Sequence, residues 1–242
     1  MRSLTVLGSC GAWPEAGRAC AGFLLEYDGF TVVLDLGYAT LPRLLEHCPD
    51  GEVDAVVVTH QHPDHCVDVS ALARVRHYQA PHAAPIPLFC PPGVLDVLRA
   101  LEPRPDPATV FAVHDLAGAR EIGPFQLETA LLPHYVTNLG VRLSAPGLTV
   151  SYTGDSGPAP ELAALAEGAD LHISDATHQV PPPEPRFLMT AREAAAGAKG
   201  AKRLLLTHFW PGTDRAVSVS QAQELFAGEV IAAEEGLVLD LG

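Results

Sequence analysis

The stretch Thr59-His60-Gln61-His62-Pro63-Asp64-His65 brings four metal-binding side chains together within six residues. It follows directly on Asp54–Thr59, a run rich in β-branched residues that predicts a strand buried on both faces. A histidine-rich surface loop is the alternative interpretation, but a buried strand that runs straight into the histidines disfavours it. The stretch therefore predicts a metal site at the end of a core strand.

The spacing within this stretch indicates how the side chains converge. In an extended segment, residues two apart face the same way, so His60 and His62 can bind one ion. A turn at Pro63 would then direct Asp64 and His65 toward a second position. Imidazole and carboxylate ligands suit Zn²⁺, with Mn²⁺ or Fe²⁺ as alternatives.

Three more predicted strands end on a residue that can bind metal. The residues are His134 after Leu131-Leu132-Pro133, Asp155 in Ser151-Tyr152-Thr153-Gly154-Asp155, and His208 after Leu204-Leu205-Leu206-Thr207. A single strand-end histidine or aspartate is more often a cap or a satisfied core group. Together with the first stretch, they complete five histidines and two aspartates, a set suited to two metals that share a bridging carboxylate.

The composition limits the classes of protein to which the chain can belong. It has 242 residues, 48% of them hydrophobic and 18% charged, and a formal net charge of −14. This apolar content excludes disorder, and no apolar run is long enough to span a bilayer. The acidic balance should repel long nucleic acid, since no basic patch is evident. Five dispersed cysteines argue against a disulfide framework and favour a cytoplasmic location.

The remaining sequence predicts two similar halves, each with antiparallel strands first and alternating helices and strands after. We predict one domain over residues 1–242, of the α+β class, with two mixed sheets packed face to face and helices outside. Asp28-Gly29 and Glu235-Gly236 are predicted hairpin turns, and Thr190-x-x-Glu193 is a capping box. Strands are predicted at Leu4–Gly8, Gly22–Tyr27, Thr31–Asp35, Asp54–Thr59, Ile86–Cys90, Phe125–Leu132, Leu139–Leu143, Leu148–Thr153, Leu171–Ser174 and Arg203–Thr207, and helices at Val69–Tyr78, Val94–Leu101, Pro160–Glu167 and Ser218–Phe226.

In order and approximate spacing, the seven candidate ligands resemble the metallo-β-lactamase superfamily. This resemblance implies a four-layer αββα sandwich and two Zn²⁺ ions, with a metal-bridging hydroxide as nucleophile. It also implies that Asp35 orients ligand imidazoles through the ring N–H that does not bind the metal. The implied ligands are His60, His62 and His134 for the first metal, Asp64, His65 and His208 for the second, and Asp155 as the bridge.

Local segments most resemble the branch of ribonuclease Z and cyclic-nucleotide phosphodiesterases. They are Thr153-Gly154-Asp155-Ser156-Gly157, Ile173-Ser174-Asp175-Ala176-Thr177-His178 and Leu206-Thr207-His208-Phe209-Trp210-Pro211. Only 20 residues separate His134 from Asp155, which leaves no room for the arm that grips tRNA. Asp175 replaces the glutamate of this branch, and Leu188 stands where its relay histidine is expected.

We therefore expect a dinuclear metal-dependent hydrolase that cleaves a small phosphodiester, similar to a cyclic nucleotide. Lactone, thioester or β-lactam hydrolysis on the same site is the alternative, and a non-enzymatic metal-dependent binding module is a third. Asp64 and His178 are the candidate proton donors. Trp13, Tyr135, Phe209 and Trp210 are candidates for an apolar pocket wall. The expected partner is a small anionic molecule, without long nucleic acid or membrane, and a homodimer is one allowed state.

Overall fold

The chain forms two compact units. The computed structural model describes residues 1–118 and 120–242, the side chain of Arg120 excepted. The first unit comprises Met1–Ser9, Trp13–Leu116 and Glu234–Gly242, and the second comprises Cys10–Ala12 and Ala117–Ala233. The assignment of all 242 residues to one domain stays a prediction. No helix in the described ranges has the length and apolar character needed to cross a bilayer.

The first unit contains a seven-stranded mixed sheet with the order β14-β1-β2-β3-β4-β5-β6. Its strands are β1 (Arg2–Gly8), β2 (Gly22–Tyr27), β3 (Phe30–Leu36), β4 (Ala55–Val57), β5 (Ile86–Cys90), β6 (Phe111–Asp115) and β14 (Val238–Asp240). Strands β1 to β3 are antiparallel, and β3 to β6 are parallel. The predicted hairpin turn is confirmed, since Asp28 and Gly29 have φ values of 50° and 93°, as the tight turn requires.

Three helices cover one face of this sheet: α1 (Leu41–His47), α2 (Pro63–Gln79) and α3 (Val94–Leu101). Val56 and Leu88 of the sheet pack with Leu72 of α2 and Leu98 of α3 in one fully buried cluster. A short 3-10 helix lies at Pro107–Thr109. The apolar spacing of the sequence thus predicts where α2 and α3 pack.

Helix α2 begins six residues earlier than the predicted Val69–Tyr78. Pro63 occupies the first helical turn, where its fixed φ fits and its missing N–H leaves no hydrogen bond unmade. Asp64 follows at a position where the helix dipole favours an acidic side chain. Asp64 and His65 therefore lie on the first turn of a helix. The turn predicted at Pro63 is this helical turn, and the His65 N–H donates to His62 O at 3.0 Å across it.

The second unit repeats the arrangement in a sheet with the order β13-β12-β11-β10-β9-β8-β7. Its strands are β7 (Arg120–Ile122), β8 (Phe125–Leu132), β9 (Asn138–Ala145), β10 (Leu148–Tyr152), β11 (Leu171–Asp175), β12 (Arg203–Thr207) and β13 (Glu229–Ala232), and its helices are α4 (Glu161–Ala166), α5 (Ala191–Gly197) and α6 (Arg215–Gln223). Strands β7 to β10 are antiparallel and β10 to β13 are parallel, which confirms the two similar halves. The capping box of Thr190 and Glu193 is also confirmed, and it begins α5.

The predicted C-terminal hairpin is wrong. Strand β13 pairs in parallel with β12 in the second unit, whereas β14 pairs antiparallel with β1 in the first. The turn at Glu235-Gly236 is real, but it does not join paired strands. The carboxylate of Glu235 accepts hydrogen bonds from Ser9 Oγ at 2.8 Å and from Arg18 Nη1 at 3.1 Å, so it fixes the chain within the first unit.

His172 on β11 is a fully buried histidine outside the candidate ligands. Its Nδ1 lies 2.8 Å from Ser151 Oγ, and no described residue hydrogen-bonds its Nε2. Burial, aided by the positive charge of Arg142, lowers the pKa of His172 to about 4. Protonation would leave a second N–H buried without an acceptor, so the folded state holds this ring neutral.

This burial predicts a pH dependence of stability. The unfolded chain takes up the proton near pH 6.5 and the folded chain only near pH 4, so stability present above pH 6.5 is lost as the pH falls toward 4. Between pH 7.5 and pH 5, the wild type should lose about 2 kcal/mol more than His172→Gln. Urea unfolding of both metal-free proteins measures this difference, and parallel pH profiles would contradict it.

Candidate metal centre

The segment that carries the first candidate ligands, residues 58–62, leaves the sheet directly after β4 and is called the ligand loop. Thr59 and His60 are fully buried there, and His60 Nε2 lies 3.1 Å from His62 Nδ1. Two nitrogens bound to one tetrahedral ion at about 2.0–2.1 Å would be about 3.3 Å apart. The predicted convergence of these two imidazoles is therefore seen in the structure.

A buried carboxylate at the end of β3 holds this loop. Thr59 donates to Asp35 through its backbone N at 2.7 Å and through Oγ1 at 2.9 Å. His65 Nδ1 donates to Asp35 Oδ2 at 2.7 Å, which confirms that Asp35 orients a candidate ligand. Because the Thr59 proton goes to Asp35, Thr59 Oγ1 accepts from His60 Nδ1 at 3.0 Å. In these tautomers the proton of each ring is on Nδ1, so Nε2 of His60 and of His65 is the nitrogen with a lone pair.

The start of α2 approaches the end of β3 closely. A Cβ at Gly37 would overlap the carbonyl oxygen of Asp64, so only glycine allows this approach. Asp64 Oδ2 lies 3.6 Å from His65 Nε2. The first helical turn thus presents a carboxylate beside the metal-facing nitrogen of His65.

Asp155 is the centre of the second unit's set. Its Oδ2 lies 3.6 Å from His134 Nε2, and its Oδ1 lies 3.1 Å from His208 Nε2. Each carboxylate oxygen faces a different imidazole, an arrangement suited to a carboxylate that bridges two ions.

The two histidines of this set also use Nδ1 for structural hydrogen bonds. His134 Nδ1 donates to the carbonyl of Phe187 at 2.9 Å. His208 Nδ1 donates to Thr177 Oγ1 at 2.7 Å. His208 has a positive φ of 59°, and a Cβ at Gly11 would lie 2.6 Å from its ring. Gly11 therefore allows the ring of His208 to take its position.

Asp175 anchors His208 through Thr177. The Thr177 hydroxyl donates to Asp175 Oδ1 at 2.5 Å, so its oxygen is the acceptor for His208. The other oxygen of Asp175 accepts from the backbone N of Met189 at 3.1 Å and of Ser156 at 3.4 Å. Burial raises the pKa of Asp175 to about 6; the charge of His208 opposes this shift and that of Asp155 adds to it. Asp175 thus holds a candidate ligand in position through Thr177.

His178 is half-buried and near this set. Its ring contacts Trp210 edge-on at 4.9 Å, and its backbone N donates to Met189 O at 3.0 Å. Burial lowers the pKa of His178, and the charge of His208 lowers it further. The lowered pKa favours the neutral ring and makes the protonated ring a better proton donor than an ordinary histidine.

The four candidate wall aromatics differ in exposure. Phe209 is part of the buried core beside α5 and α6, so it does not form a pocket wall. Tyr135, Trp13 and Trp210 are exposed at 68%, 50% and 41%. Tyr135 lies against His134, at 5.3 Å between ring centroids. Exposed aromatic surface beside a candidate ligand can still contact a substrate.

Apart from Asp35, sequence reasoning missed the residues that hydrogen-bond to Nδ1 of the candidate ligand histidines. Thr59 gave a local signal, since it directly precedes the first histidine. Thr177 belongs to a quoted segment, but its partner His208 is 31 residues away. The carbonyl of Phe187 left no signal at all, because any residue carries one.

The similarity to known proteins extends over nearly the whole chain. A family model described as a β-lactamase superfamily domain matches residues 29–209. An uncharacterized protein of Mycobacterium leprae is 30% identical over 98% of this chain and 88% of its own length. Ribonuclease Z of Haloferax volcanii is 27% identical over 98% of this chain and 94% of its own.

A solved structure extends this likeness to the fold. The probable metallo-hydrolase YhfI of Bacillus subtilis is 28% identical over 97% of this chain and 98% of its own. Its crystal structure, a metallo-β-lactamase fold protein, matches 98% of both chains with a TM-score of 0.89 at 27% identity. The predicted fold class, α+β with two mixed sheets and helices, is thereby confirmed. The chain belongs to the β-lactamase superfamily and is a metal-dependent hydrolase of that family.

Proposed function

We propose that this protein hydrolyses a small phosphodiester with two divalent metal ions, Zn²⁺ in preference to Mn²⁺ or Fe²⁺. The proposal rests on the tautomer that four of the candidate imidazoles share. In each, Nδ1 donates to an oxygen of the protein, which leaves Nε2 as the metal-facing atom. Partners of this kind raise the basicity of metal-binding histidines and fix their tautomer.

The donor set fits two ions that share one carboxylate. The first unit supplies three imidazoles and one carboxylate, and the second supplies two imidazoles and one carboxylate. As the family resemblance implies, His60, His62 and His134 would hold one ion and Asp64, His65 and His208 the other, with Asp155 shared between them. When bound, such ions supply an activated water near neutral pH and stabilise negative charge on the phosphoryl oxygens.

A small phosphodiester is favoured over a long polynucleotide. Relatives of this chain include enzymes named ribonuclease Z, which supports a phosphodiester bond. The hairpin of β9 and β10 takes up most of the 20 residues between His134 and Asp155, so that segment provides no long binding arm. A net charge of −14 further disfavours a long polyanion.

The residues near the site suggest how the leaving group gains its proton. Asp64 and His178 remain the proposed donors. His178 has a lowered pKa, so the protonated ring would transfer its proton readily once formed. Asp175 is not a donor in this scheme, because its oxygens accept hydrogen bonds from Thr177, Met189 and Ser156.

Activity on a minimal substrate tests the proposed function. We expect metal-dependent hydrolysis of bis(p-nitrophenyl) phosphate with added Zn²⁺ or Mn²⁺, and loss of that activity to background in Asp155→Ala. The exposed carboxylate of Asp50 offers a matched control, and Asp50→Asn should keep full activity. Faster hydrolysis of a lactone, thioester or β-lactam than of any phosphodiester would contradict the proposed substrate.

The Thr177 hydrogen bond predicts an effect on metal affinity. Thr177→Val removes the acceptor of His208 Nδ1, so affinity for one of the two ions should fall about 10- to 100-fold. Thr177→Ser keeps the hydroxyl and should restore affinity, and Thr149→Val in the same unit serves as a control. Competition with a chromophoric chelator measures the change. Wild-type affinity in Thr177→Val would show that Thr177 does not position His208.

Substrates with different leaving groups can distinguish a proton-donor role of His178 from a structural role. If its proton assists departure, His178→Gln should lower kcat/KM for an alkyl phosphodiester about 100-fold and hardly affect a p-nitrophenyl ester. The exposed His82 provides the control variant His82→Gln. Equal losses on both substrates would assign His178 to a structural role.

A further inference from the structure

A groove of about 320 Å³ lies within the first unit, apart from the candidate ligands. Ligand sites in proteins typically measure about 300–1,000 Å³. The groove is lined by Cys90, Pro91, Pro92, Gly93, Leu95, Asp96, Val113, His114 and Asp115. Sequence reasoning leaves it unnoticed, because it does not predict β6, the strand that supplies one wall.

The groove lies at the same edge of the sheet as the ligand loop. Strands β4, β5 and β6 are parallel neighbours, so their carboxyl ends share one edge. Open sheets of this kind bind ligands outside these ends. With a strand spacing of about 4.8 Å, the end of β6 lies about 10 Å from the end of β4. A substrate whose reacting bond lies at His60 could therefore extend into the groove.

Gln61 joins the groove to the ligand loop. It lies between His60 and His62, and its Oε1 occupies the space that a Cβ at Gly93 would need. Gly93 lines the groove and has a positive φ of 99°, which favours glycine. The wall of the groove is therefore in direct contact with the candidate metal loop.

The lining combines carboxylates with an apolar wall. Asp96 and Asp115 are exposed acids, and Leu95 and Val113 supply apolar surface. Cys90 and Asp115 are paired across β5 and β6. Burial raises the pKa of Cys90 to about 12, and the charge of Asp115 adds to this shift. Such a lining repels phosphate and suits a group with an apolar face and several hydrogen-bond donors.

We infer that this groove binds the nucleoside moiety of the substrate, with its hydroxyl and amino groups donating to Asp115 and Asp96. The inference rests on the proposed phosphodiesterase function and names the organic part of its substrate. A nucleoside has both the apolar face and the donors that the lining requires. Choline has a single hydroxyl donor and no N–H, and an inorganic anion lacks the apolar face.

Binding of adenosine tests the groove without metal or turnover. Adenosine should bind the metal-free protein saturably in an NMR or calorimetric titration. Leu95→Trp should fill the groove and abolish binding, and Asp115→Asn should weaken it about tenfold through loss of a charged acceptor. Matched controls are Leu101→Trp on the exposed end of α3 and Asp50→Asn, which should both bind as the wild type does.

The outcomes separate this inference from the proposed function. Absence of adenosine binding, or equal binding in Leu95→Trp, would overturn the groove assignment while metal-dependent hydrolysis of bis(p-nitrophenyl) phosphate still stood. Binding of choline or inorganic phosphate in place of adenosine, with loss in Leu95→Trp, would also overturn it. Thermal unfolding of each variant shows that a lost signal reflects the groove and not the fold.

Discussion

The carboxylate of Asp35 is the constraint on which the candidate centre of the first unit depends. It is fully buried and lies at a left-handed backbone position with φ of 54°, which a non-glycine residue rarely adopts. Its two oxygens accept from Thr59 twice and from His65 once. A buried carboxylate is stable only when it is paired in this way, so loop and strand fix each other.

The second unit uses the same physical device at the end of β11. There, buried Asp175 accepts from Thr177, and the threonine oxygen accepts from His208, just as Thr59 links Asp35 to His60. In both units, an aspartate at the carboxyl end of a parallel strand acts through a threonine on an imidazole. Asp175 thus has a positioning role.

The features of the fold and of the candidate site that depend on neighbouring residues could be predicted from the sequence. The histidine spacing, the hairpin at Asp28-Gly29 and the capping box at Thr190 each depend on neighbouring residues, and the structure agrees with them. The start of α2 was missed because its first turn carries polar ligand residues in place of apolar spacing. The partner of β13 could not be read from the sequence, because a turn signal says nothing about which strands pair.

The tautomers of the candidate ligands provide the most direct test of the central claim, that the protein holds Nδ1–H and presents Nε2. Long-range ¹H–¹⁵N NMR spectra of histidine-labelled, metal-free protein above pH 8 distinguish the two ring nitrogens. The account predicts the Nδ1–H tautomer for His60, His65, His134 and His208. A proton on Nε2 in these four rings would contradict it, because the metal-facing lone pairs would then be absent.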